Sequence, residues 1–161
     1  MKKLIICLTL LAAMTFTLTS CKKDKDPEQL YKDITNKDWH GYMDTYKENG
    51  SEWRDMGERT FLVIRFNGNK GALNGTGYQV EFDNPEMAGN PSDKNRFRWE
   101  IANGELHIAY INPGWTDVWI DYNNCTVSDD TFVGEMYDHH DHMYKFYFKP
   151  GIAINWAQYG F

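Results

Sequence analysis

Cysteine is scarce in this chain: Cys7, Cys21 and Cys125 are the only three in 161 residues. Cys7 sits inside an N-terminal apolar run and Cys21 closely follows it, so Cys125 alone is left to the body of the chain. An internal disulfide framework is thereby excluded. A lone cysteine within Asn123-Asn124-Cys125-Thr126-Val127 reads as a small buried strand residue rather than a reactive thiol. Serine is equally thin beyond residue 21, where only Ser51, Ser92 and Ser128 occur, none of them in a Gly-x-Ser-x-Gly turn. Lysine and arginine are scattered and form no basic stripe, which argues against nucleic acid as a partner. No segment carries a convincing amphipathic helix pattern. The longest apolar run, Leu4 to Thr17, falls short of the roughly 20 residues that a membrane span needs.

That short run has the form of an export signal. Lys2 and Lys3 precede it, and Leu18-Thr19-Ser20-Cys21 follows it. The tetrapeptide resembles the bacterial lipobox: an aliphatic residue, two small ones, and the cysteine that receives diacylglycerol. The resemblance implies that residues 1–20 are a cleaved signal peptide and that Cys21 carries lipid. Two acyl chains on one residue anchor stably, so the expected address is the cell envelope. The protein would be tethered to the outer membrane, on its periplasmic face or at the cell surface. An uncleaved helix is the plainer alternative, and the length of the run argues against it. Without Lys2 and Lys3, 15 basic residues face 23 acidic ones, a net charge of −8. Lys22 to Asp33 is charged and lacks periodicity. With the lipidated cysteine, residues 21–33 read as a coil tether with a reach on the order of 20 Å. Residues 34–161 are one domain's worth of chain.

From Ile34 onward apolar and polar residues alternate, broken by Gly, Asn and Asp roughly every eight to twelve residues, as in an all-β sandwich or barrel. Tyr78, Val80 and Phe82 oppose Gln79, Glu81 and Asp83. Phe97, Trp99 and Ile101 oppose Arg96, Arg98 and Glu100, and similar sets run through Leu106–Tyr110, Val118–Tyr122 and Tyr144–Phe148. Period two turns one set inward and the other to water. The apolar sets are therefore expected inside, with Glu81, Glu100, Asp121 and Glu135 mostly outside. Asn103-Gly104 is a two-residue hairpin signal and Asn112-Pro113-Gly114 a turn. Asp83 to Asn95, the longest unpatterned stretch, is expected to be a loop over one end of the fold. About eight antiparallel strands in up-and-down order can close into a barrel, which removes exposed edges. The apolar tail from Gly151 to Phe161 is expected to pack across a barrel end or edge.

Asp38-Trp39-His40-Gly41, the hairpin Phe97-Arg98-Trp99-Glu100-Ile101 through Asn103-Gly104 to Leu106-His107-Ile108, and Thr131-Phe132-Val133-Gly134 before a closing aromatic strand together resemble the small lipocalin-like lipoproteins of Gram-negative bacteria. The resemblance covers about residues 34–150 and implies barrel topology and a ligand cavity. It departs from true lipocalins in two places. Gly41 follows Trp39 where their glycine precedes the tryptophan by two, and no arginine occurs after Arg98 to pack over that ring.

Two constellations stand out from this background. Asp138-His139-His140-Asp141-His142 holds three of the five histidines at an expected hairpin tip. Imidazole and carboxylate ligands suit Zn²⁺, Ni²⁺ or Cu²⁺. His140 and His142 share a side in strand geometry, and His139 joins them only if the turn folds back; a plain polar turn is the blander reading. Six Trp and ten Tyr form the second. These rings either fill the barrel or bind something, and Trp53, Trp115 and Trp119 fall in or beside loops or on a polar face. The expected site is the mouth between the Asp83–Asn95 loop and the rings of Trp99, Tyr110 and Tyr122, with Trp115 and Trp119 nearby. Taken together, these features lead us to expect a non-enzymatic, lipid-anchored barrel that binds a small apolar or amphipathic ligand and needs no cofactor. The alternatives are an interaction module recognising glycan or protein through exposed aromatics, and a metal-binding protein using His139, His140 and His142.

Overall fold

The computed structural model describes residues 25–86 and 90–161, so the signal, Cys21 and its lipobox lie outside the described residues. The alternating segments form nine strands: β1 (Asp38–Asn49), β2 (Glu52–Gly68), β3 (Asn74–Phe82), β4 (Asp93–Ala102), β5 (Glu105–Tyr110), β6 (Val118–Asp121), β7 (Thr126–Val127), β8 (Phe132–Asp138) and β9 (His142–Pro150). Every pairing between these strands is antiparallel, running β6-β5-β4-β3-β2-β1-β9-β8. Val118 opposite Asp138 and Trp119 opposite Tyr137 join β6 to β8 and close the ring. The result is an eight-stranded up-and-down barrel, consistent with the lipocalin-like expectation, with the short β7 added beside β8. Asn103 and Gly104 both have positive φ, 53° and 88°, as a two-residue hairpin between β4 and β5 requires.

One end of the barrel is solid. Trp39, Phe66, Phe97, Phe132 and Phe148 are all at most 1–2 % exposed, and their rings meet edge to face, with Phe66–Phe97 centroids 5.4 Å apart. Gly77 makes this packing possible: a Cβ there would collide with the Phe97 ring and the Arg65 carbonyl. Helix α1 (Pro27–Ile34) plugs the same end. Its Leu30 and Ile34 are buried in the core, and the Trp39 indole donates to the Ile34 carbonyl at 2.9 Å. Burial of the two aliphatic side chains contributes about 1.5–3 kcal/mol each. This corrects the expectation of a coil from Lys22 to Asp33, since its second half is a helix belonging to the barrel. Asp26 caps it by accepting from the Glu28 N–H at 3.0 Å, and Pro27 occupies the first turn.

Strand β3 reverses the expected sidedness. Gly75, Gly77, Gln79 and Glu81 face the interior, while Val80 and Phe82 join Phe61 and Val63 of β2 in a second apolar cluster on the outer wall. The C-terminal segment covers that cluster with Ile152, Ile154, Trp156, Tyr159 and Phe161. Tyr78 and Phe161 stack at 4.8 Å, Arg96 donates to the Gly160 carbonyl, and the Trp156 indole donates to Asp38 at 2.9 Å. The tail therefore lies on the wall of the barrel, not across an end or edge. Outer apolar residues are stable here because this segment removes them from water.

Candidate functional site

Opposite the plugged end, the barrel opens into a cavity of about 360 Å³. Its floor is the ring-packed core. Its rim comes from residues 111–117 between β5 and β6 and from the three-residue tip between β8 and β9. In that tip Asp141 takes the left-handed conformation, φ 62°, which suits the residue closing a tight hairpin loop. The walls mix apolar and polar groups: Met43, Met136, Tyr110, Trp115 and Tyr144 beside Glu81, Asp138, His140 and His142. Tyr110 and Trp115 meet at 4.9 Å with planes 51° apart. The Trp115 indole is held by Asp93 Oδ2 at 3.2 Å.

Two carboxyls of opposite character line this space. The Asp138 side chain is 4 % exposed. Its Oδ1 accepts from the backbone N–H groups of His140 and His142 at 2.8 and 3.0 Å. Its Oδ2 accepts from the His142 ring at 3.1 Å and the Tyr144 hydroxyl at 3.0 Å. Burial, the largest single influence, pushes this acid up, but the four donors together outweigh it and hold the carboxyl below its ordinary range. An ionised carboxylate only accepts, so the His142 proton is placed on Nδ1. Burial above all, reinforced by Asp93, holds Glu81 above its ordinary range despite a hydrogen bond from Gln79 at 2.8 Å. Gln79 also accepts from the Tyr110 hydroxyl at 2.8 Å, linking Tyr110, Gln79 and Glu81 into one chain. Burial likewise raises the Tyr110 and Tyr144 hydroxyls, which stay protonated donors at neutral pH.

The structure separates the residues expected to share a site. Tyr110 and Trp115 line the cavity. Trp99 and Tyr122 lie in the packed core at the far end, where Trp99 meets Tyr31 of α1 at 5.8 Å. Trp119 is on the outer wall, stacked on Tyr137 and 4.7 Å from the His139 ring. The described part of the 83–95 loop adds nothing to the cavity lining, and the β5–β6 loop forms that side of the mouth instead. Among the histidines, His140 and His142 face the cavity and His139 faces away. His140 pairs with Thr116 at 3.0 Å and His142 with Asp138. Among the described residues, no group of three or more His, Cys, Asp or Glu is gathered closely enough to hold a metal ion. Glu81 and Gln79 are the site residues that sequence reasoning put on the wrong face. Comparison with protein-family models, with curated proteins and with solved structures returns no match, so the functional reading rests on the barrel and its cavity.

Proposed function

We propose that this protein is an envelope lipoprotein, anchored to the outer membrane through Cys21, whose barrel holds a small apolar or amphipathic ligand without transforming it. The observation that carries this reading is the division of the interior into a solid aromatic floor and a cavity of about 360 Å³ at the other end. That volume is at the small end of the usual range for ligand sites, and its mixture of rings, thioethers and a few fixed polar groups is typical of them. The test is native mass spectrometry of the chain from Lys22 onward, purified gently from an export-competent host. A stoichiometric organic adduct that disappears in Trp115→Ala is expected. An adduct unaffected by that change, or no uptake of any offered amphiphile, would count against the cavity as the site. Lipidation is tested separately by fatty-acid labelling, which Cys21→Ala should abolish.

A second reading, an interaction module for glycan or protein, has one observation in its favour. Trp53, Tyr137, Trp119 and His139 form a continuous stripe of rings on the outer wall, with successive centroids 6.1, 6.3 and 4.7 Å apart. Loss of a captured partner in the Trp53→Ala, Trp119→Ala double variant, with Trp115→Ala unchanged, would favour it over the cavity.

A further inference from the structure

We infer that the cavity selects a positively charged ligand, an organic ammonium, seating its cationic head between Glu81 and the rings of Tyr110 and Trp115. The inference rests on the cavity being a binding site and specifies what it takes. Charge gives the first argument. Among the described residues, the lining contains two carboxyls, Glu81 and Asp138, and no lysine or arginine. Beside His140 and His142, a carboxylate or phosphate ligand leaving water would find no lysine or arginine to pair with, whereas an ammonium would find the Glu81 carboxyl.

Accessible charge gives the second. Asp138 already accepts four hydrogen bonds, so its charge is well compensated. Among the described residues Glu81 receives a single one, from Gln79, and its carboxyl is held above its ordinary range chiefly by burial. A cation beside it relieves that cost. The aromatic walls supply the third argument, because Tyr110 and Trp115 both line the cavity and aromatic rings attract ammonium groups. The indole hydrogen bond to Asp93 fixes one of them in place.

The test uses three probes of one chain length, hexyltrimethylammonium, hexanoate and hexanol, titrated calorimetrically into the chain from Lys22 onward, which carries the whole described barrel. The ammonium should bind about tenfold or more tighter than hexanoate. Glu81→Gln should erase that preference, with the loss falling on the ammonium rather than on hexanoate. Trp115→Leu, a second variant outside the packed floor, should reduce the preference as well. Hexanoate binding as tightly as the ammonium, with hexanol also bound, would overturn the charge selection and leave the cavity reading intact. No binding of any probe at millimolar concentration would overturn both.

Discussion

The two ends of this barrel are built from the same alternating strands and behave as opposites. At the plugged end, inward positions carry Trp39, Phe66, Phe97 and Phe132, and α1 adds Leu30 and Ile34. Farther along the same strands, inward positions carry Thr45 and Thr60 on β1 and β2, Glu81 on β3, Asp138 on β8 and Tyr144 on β9. One end buries apolar surface and holds the fold. The other leaves shaped, partly polar space, and its buried polar groups are affordable only because most are paired. Stability and recognition are thus divided along the barrel axis, and substitutions at the two ends should differ in kind as well as in size.

The largest effect is expected at the plugged end. Trp39 is fully buried and its indole N–H is satisfied by the Ile34 carbonyl, so Trp39→Ala leaves a large void and frees α1. A loss of about 3–5 kcal/mol is expected in denaturant unfolding. A loss below about 1 kcal/mol would mean that the end is not close-packed.

Next comes Asp138, the most heavily bonded polar group of the open end. Asp138→Asn removes the charge and places a donor where the His142 ring and Tyr144 hydroxyl also donate, at a cost of about 2 kcal/mol. Its folded carboxyl lies below the ordinary value, so its contribution is present above the ordinary carboxylate pKa. That contribution is lost as pH falls through the folded pKa. The gap between wild type and variant should therefore shrink in acid, and a gap that widened would refute the assignment.

The outer wall forms a third region whose logic follows the plugged end. Phe161→Ala removes the ring stacked on Tyr78 and overlain by Arg96, and should cost about 1 kcal/mol while exposing apolar surface of β3. Thermal unfolding and light scattering would read the two consequences together.

What the sequence disclosed follows the same division. Strand positions, the Asn103-Gly104 hairpin and barrel closure were legible because period two and turn chemistry are local. The shared side of His140 and His142 was legible for the same reason. The facing of β3 was not, because Tyr78, Val80 and Phe82 look like an interior set until residues 152–161 are known to cover them from outside. Nor could alternation reveal how far along the axis a ring sits. Trp99 and Tyr110 are both inward residues on neighbouring strands, and only register, with Tyr110 opposite Phe97 and Trp99 opposite Ile108, puts them at different heights. Helix α1 did leave a cue in Asp26-Pro27-Glu28, an N-cap with proline in the first turn, and in Leu30 and Ile34 four residues apart. Its surrounding charges obscured that cue.

The smallest effect has the opposite sign. Glu81 is inward-facing, partly compensated by Gln79, and held above its ordinary pKa mainly by burial. Its charged form is therefore disfavoured in the folded chain relative to the unfolded one, and wild type is penalised at neutral pH. Glu81→Gln keeps the shape and removes the charge, so the ligand-free variant should be slightly more stable than wild type at pH 7. Below the ordinary glutamate pKa both folded and unfolded wild type are protonated, the penalty vanishes, and the two proteins should converge. Two carboxyls lining one cavity thus predict opposite mutational signs: removing the charge at Asp138 destabilises, and removing it at Glu81 stabilises. If Glu81→Gln instead lost stability at neutral pH, the Glu81 carboxylate would have to be a structural ion like Asp138, and the open end would be a second bracing layer rather than a place kept ready for a ligand.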